Sequence, residues 1–164
     1  MKLPYDALLF DLDGTLTDSA PGIIRSLQAA LHAVGVEVSD PALLRSCVGP
    51  PLSDSFRELF HLTPEQSATA FLAFRARFET VGIFENSVYD GIPALLGRLR
   101  AAGYRLGVAT SKPELFARKI LEHFELSQEF SVICGASLDE SRNQKREVIE
   151  DLLTQTGLSP ARVL

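Results

Sequence analysis

Cysteine is scarce. The chain has two in 164 residues, Cys47 and Cys134, far apart and each set among apolar neighbours. That speaks against a disulfide scaffold or a cysteine-rich metal site and fits small buried hydrophobes in a reducing cytosol. Long apolar runs are also lacking. The N-terminal MKLPYDALLFDLDG holds one Lys and a short apolar stretch broken by Asp6 and Asp11, without the uninterrupted core and small-residue cleavage site of a signal peptide. No stretch approaches the roughly 20 residues that span a bilayer, so we expect a cytoplasmic protein with no membrane partner. Positive charge is neither in excess nor clustered: 16 Lys and Arg face 21 Asp and Glu, for a net charge of −5. This argues against a nucleic acid polymer as the main partner, but not against a small anion held by local groups. The three histidines, His32, His61 and His123, lack metal-ligand spacing and are read as structural. Repeats, low-complexity segments and long charge runs are absent, and nothing here speaks to oligomeric state.

What is present is a domain's worth of alternating elements. A chain of this size buries roughly 70% of its unfolded surface and needs no staple to fold. The run Ala7-Leu8-Leu9-Phe10, ended by Asp-Leu-Asp-Gly, suits a strand covered on both faces of a parallel sheet. Residues 105–110 and 131–135 repeat the pattern. Between them the spacing predicts a helix from Pro93 to Gly103 with Leu95, Leu96, Leu99 and Ala102 as its apolar stripe. A second opens at Pro113, with Leu115, Phe116 and Ile120 on one face, and a third carries Val148, Ile149, Leu152 and Leu153 and closes at Gly157. Such alternation implies right-handed βαβ units and a doubly wound, Rossmann-like parallel α/β sheet.

Residues 19–84 interrupt it with helices only. Pro21 opens one with Ile23, Ile24, Leu27, Leu31 and Val34 inward; a second covers Leu52 to Phe60; a third starts at the capping box Thr63-Pro64-Glu65-Gln66, with Phe71, Phe74 and Phe78 as core. We therefore expect an α/β core from residues 1–18 and 85–164, and an all-helical cap from residues 19–84.

Asp11-Leu12-Asp13-Gly14-Thr15 carries the most chemistry. Carboxylates two apart at a strand end point to the same side and repel unless a cation or shared proton offsets them. Gly14 lets the backbone turn with its N–H groups open to an anion. The place is the carboxyl end of a parallel strand, where open α/β sheets bind ligands. An Asx-Gly turn that merely ends the strand is the plain alternative.

DLDGTLTDS resembles the first motif of the haloacid dehalogenase superfamily, and GVATSKP resembles the second motif of its phosphoglycolate phosphatase-like branch. LDESRNQKREVIEDLL is similar to the third, and the helical insert to the family's small cap, with Val48-Gly49-Pro50-Pro51-Leu52 as its substrate-facing loop. The resemblance implies that Asp11 is the nucleophile forming an aspartyl-phosphate, that Asp13 is the acid/base, and that Lys145 balances charge on the phosphoryl group and the nucleophile. It implies Mg²⁺ on the Asp11 carboxylate and the Asp13 carbonyl. It further implies phosphate contacts from Gly14, Thr15 and Thr110 or Ser111, and specificity from Gly49 and Pro50. Thr110 and Ser111 are not separable by sequence, since either could cap a helix; Lys112 reads as an exposed neighbour. Asp18 and Ser19 lie at the hinge into the cap and read equally as a plain N-cap.

The apolar run ending in Gly-Asp that completes the family's metal site does not follow Ala161-Arg-Val-Leu164. From this we expect an unpaired edge on the first strand, weak magnesium binding and little turnover. The implied activity is hydrolysis of a small phosphorylated metabolite such as 2-phosphoglycolate. A 5′-nucleotidase, a phosphomutase and an inactive relative serving as a binding protein are alternatives. Dehalogenase activity conflicts with Asp13, and a signalling receiver domain conflicts with the helical insert.

Overall fold

The computed structural model describes residues 4–139, 141, 142 and 144–164. It is a mixed α/β protein whose main sheet has three parallel strands. Strand β1 is Ala7–Phe10. Next come the two-residue strand β2, Thr17–Asp18, and helices α1 (Ala20–Ala33), α2 (Pro41–Ser46), α3 (Leu52–Glu58) and α4 (Pro64–Thr80). Strand β3 (Ser87–Val88) follows, then α5 (Ile92–Ala101), β4 (Arg105–Pro113), α6 (Glu114–His123), β5 (Val132–Ala136) and α7 (Lys145–Thr156). The chain divides into two compact units, Met1–Asp18 with Val88–Leu164, and Ser19–Ser87.

The α/β unit is ordered β1-β4-β5, with Leu9 opposite Gly107 and Ala109 opposite Cys134. Helix α7 lays Val148 and Leu152, both fully buried, against Ala109 and Cys134, with Leu9, Val132 and Ile149 closing the cluster. Gly157 ends α7 at φ 65°, the left-handed conformation that glycine adopts without strain. The outer edge of β1 is not bare, contrary to expectation. Asp6 and Leu9 donate to the carbonyls of Arg162 and Leu164 at 2.7 Å, Leu164 donates to Ala7 at 3.2 Å, and Val163 bridges Ala7 in parallel. Two helical stripes also differ. Leu96 alone of the α5 stripe is fully buried while Ala102 is exposed, and Leu115 of α6 is 46% exposed beside the buried Phe116, Ala117 and Ile120. Strand β4 continues three residues beyond Thr110.

In the helical unit α1 buries Ile23, Leu27, Ala30 and Leu31. Thr63 and Gln66 form the expected reciprocal cap on α4, with Gln66 N–H donating to Thr63 Oγ1 at 3.2 Å and Thr63 N–H to Gln66 Oε1 at 3.0 Å. Helix α3 ends at Glu58, short of Phe60. Helix α2 went unforeseen, although Asp40 caps it by accepting from Ala42 N–H at 2.9 Å and Pro41 opens it. Glu85 ties the unit together. Arg77 grips both its carboxylate oxygens at 2.8 and 3.0 Å and reaches Ser26 Oγ, and Arg25 adds a contact of 2.9 Å. Arg77 above all, with further help from Arg25, holds the Glu85 carboxyl down at about 2 against the opposing push of burial. Both cysteines are free and buried. Among the described residues no helix is long and apolar enough to cross a membrane.

Candidate active site at the end of the first strand

The apolar strand β1 delivers Asp11 at its carboxyl end, and the backbone then folds tightly. The N–H groups of Leu16 and Thr17 converge on the Leu12 carbonyl at 2.9 and 3.1 Å, with Thr15 N–H at 3.2 Å, and Gly14 N–H donates to Thr17 at 2.8 Å. Gly14 sits at φ 77°, a conformation that side chains rarely tolerate. Leu12 and Leu16 are fully buried anchors, which leaves Asp11 and Asp13 partly exposed. The turn's bridge between Asp13 and Thr17 uses the Leu12 and Thr17 carbonyls and not that of Asp13. The amides of Gly14 and Thr15, expected to face an anion, are engaged inside this turn.

Each acid has its own lysine. Asp11 Oδ1 accepts the Leu12 N–H at 2.8 Å, and its Oδ2 lies 2.6 Å from Lys145 Nζ, which also donates to the Ala109 carbonyl at 2.9 Å. Lys145 is the first residue of α7, the wrong end of a helix for a cation, so its place is explained by what its ammonium reaches. Lys112 Nζ lies 3.0 and 2.8 Å from the two oxygens of Asp13, with side chains only 5% and 18% exposed.

The expectation for Lys112 was therefore wrong. Because β4 runs on past Thr110, its alternation turns Thr110 and Lys112 inward and Ser111 outward. Thr110 is 1% exposed, and its Oγ1 accepts the Lys112 N–H at 3.2 Å, leaving its hydroxyl hydrogen to donate. Arg142 was also missed. It donates to the Gly135 carbonyl at 2.8 Å and pairs with Asp151, tying the segment before Lys145 to β5 and α7. No local pattern marked it. Ser19 precedes α1 without a side-chain cap bond. Gly49 and Pro50 lie exposed between α2 and α3, with Gly49 at φ 113°.

The profile of the haloacid dehalogenase-like hydrolases matches residues 8–164, nearly the whole chain. The chain belongs to that family. Within this hydrolase family it is 44% identical over 162 residues to a Pseudomonas aeruginosa 5′-nucleotidase, covering 99% of this chain and 73% of that one. It is 45% identical over 157 residues to the tyrosine-protein kinase PtkA of Mycobacterium tuberculosis, covering 96% of this chain and 53% of the kinase. A phosphoglycolate phosphatase of Xanthomonas campestris is 34% identical over 136 residues, 82% of this chain and 61% of that enzyme. The chain thus spans between about half and three quarters of these relatives. Among solved structures, that of a Clostridium acetobutylicum protein described as a predicted phosphatase superposes with a TM-score of 0.91 at 43% identity, over 98% of this chain and 74% of that one.

Were a divalent cation to bind here, the Asp11 carboxylate and the Asp13 main-chain carbonyl would be hard oxygen donors for it. Among the described residues no group of three or more His, Cys, Asp or Glu gathers to hold a metal. Two aspartates are thus matched by two lysines at the end of β1.

Proposed function

We propose that the protein is a Mg²⁺-dependent phosphomonoester hydrolase that works through an aspartyl-phosphate on Asp11. The observation that carries this is the pair of acids at the end of β1, each held by its own lysine, beside the buried Thr110. An Asp11 oxygen attacks phosphorus, the ester P–O bond breaks, and the Asp13 proton passes to the departing alkoxide. A water oxygen then attacks phosphorus, its proton goes to Asp13, and the bond to Asp11 breaks, releasing inorganic phosphate. Lys145 and the Thr110 hydroxyl stabilise the phosphoryl oxygens, with Ser111, Gly14 and Thr15 at the rim. Asp11 and the Asp13 main-chain carbonyl would hold the cation, which would supply neutralisation of charge at the anionic nucleophile.

In this reading the α/β unit is the catalytic core and the helical unit a cap, where Gly49 and Pro50 select a small phosphorylated metabolite. Likeness to a phosphoglycolate phosphatase and to a 5′-nucleotidase supports 2-phosphoglycolate or a nucleoside monophosphate as substrate. A second reading, phosphoryl transfer to tyrosine, is favoured by the likeness to PtkA. The test assays the protein at its full natural length with p-nitrophenyl phosphate, 2-phosphoglycolate and nucleoside monophosphates, with Mg²⁺ and with chelator. A parallel reaction offers labelled ATP and a tyrosine peptide. Phosphate release that needs Mg²⁺ and is lost in Asp11→Asn supports the proposal. Release that survives chelator or Asp11→Asn contradicts it, and label passing to tyrosine without phosphate release favours the second reading.

A further inference from the structure

Lys112 has no part in the mechanism above, yet it is among the few charged side chains buried in the α/β unit. Its ammonium makes a two-point contact with Asp13, and its own position is set by the backbone around it. Its N–H donates to Thr110 Oγ1 at 3.2 Å. Its carbonyl lies so near Gly135 that a Cβ there would stand 2.5 Å away, and 2.6 to 2.7 Å from the backbone of Glu114. The glycine of β5 thus admits the end of β4 at a distance no other residue allows. A lysine stem held at its base, with both partner oxygens engaged at its tip, leaves the Asp13 carboxyl group little freedom to rotate.

We propose that Lys112 is a positioning residue that fixes the orientation of Asp13 toward the ester oxygen and then toward the attacking water. The inference rests on the reading of Asp13 as acid/base. A side chain that must hand over a proton in one step and accept one in the next gains from an orientation set before the substrate arrives, because misplacement by about 1 Å is costly in rate. An ion pair serving stability alone changes the melting temperature. It does not change how the rate depends on the leaving group.

The leaving group therefore makes the test. An alkoxide needs the Asp13 proton to depart, whereas p-nitrophenolate leaves without it. In the protein at its full natural length, Lys112→Met is expected to lower kcat on a simple alkyl phosphate by about 30- to 300-fold, within the range of general acid–base catalysis. KM should move less than about threefold, and the first-turnover burst of p-nitrophenolate should persist while its steady-state rate falls, as the second step still needs Asp13. Lys112→Arg keeps the charge with altered geometry and should fall between wild type and Lys112→Met. If Lys112→Met does not melt cooperatively, the Arg variant decides by the same comparison. Equal losses on both esters, including the burst, or no loss on either, overturn the inference. Asp13→Asn separates the two levels. If it retains alkyl phosphate turnover, the acid/base reading itself fails. If it loses that turnover while folded Lys112→Met keeps it, only the role of Lys112 fails.

Discussion

Lys145 Nζ stands 2.6 Å from Asp11 Oδ2 and 2.9 Å from the Ala109 carbonyl, so one ammonium joins the end of β1, the middle of β4 and the first turn of α7. The contact opposes the helix dipole and leaves both side chains about two-fifths exposed, which makes it a poor source of stability. Lys145→Met should therefore melt within a few degrees of the wild type while kcat falls about 100- to 1,000-fold, the loss typical of a fixed charge at a reacting phosphoryl group. Thermal melting beside steady-state kinetics checks both halves. A large drop in melting temperature with near-normal kcat would recast Lys145 as structural.

Gly22 in α1 faces the backbone of Gly82 so closely that a Cβ would stand 2.0 Å from the Gly82 carbonyl oxygen. Its N–H also donates to Glu85 at 3.0 Å. Alanine favours a helix interior over glycine by about 1 kcal/mol, yet here Gly22→Ala should destabilise the helical unit by about 1–3 kcal/mol, as overpacking does. Urea unfolding of the variant checks the sign. A gain in stability would contradict this packing.

Glu85 titrates at about 2 in the folded protein, chiefly through Arg77. An ordinary glutamate takes up its proton near 4.5, so between those values the unfolded chain binds the extra proton. The contribution of this carboxylate is then complete above about pH 4.5 and is lost as pH falls toward 2. Glu85→Gln should melt lower than wild type at pH 7, with the difference narrowing steadily below about pH 4.5. Melting curves across that range measure it, and a constant offset would show that the Arg77 pair does not set the titration.

Some of this was readable from the sequence because it is local. The uniform run Ala7–Phe10 ended by two acids, the capping box at Thr63 and Gln66, and the αL glycine after α7 are written in neighbouring residues. The contact of Lys145 with Asp11 was implied only by the family's third motif. Lys112 could not be placed, because its partner Asp13 lies 99 residues away and its inward turn depends on where β4 ends. The pairing of Arg162–Leu164 with β1 is likewise a long-range matter. The stripes of α5 and α6 misled for another reason. Apolar periodicity shows which face a helix prefers to bury, not how much of that face the neighbouring elements cover.

In the proposed mechanism Asp11 carries the phosphoryl group between substrate and water. Acid quenching during the first turnover of a phosphate ester, followed by mass spectrometry of the peptide around the first strand, tests it directly. The expected result is a hydroxylamine-sensitive phosphoryl group on Asp11 that appears with the burst and is absent from Asp11→Asn. A burst of product with Asp11 unmodified, or with phosphate on another residue, would contradict it.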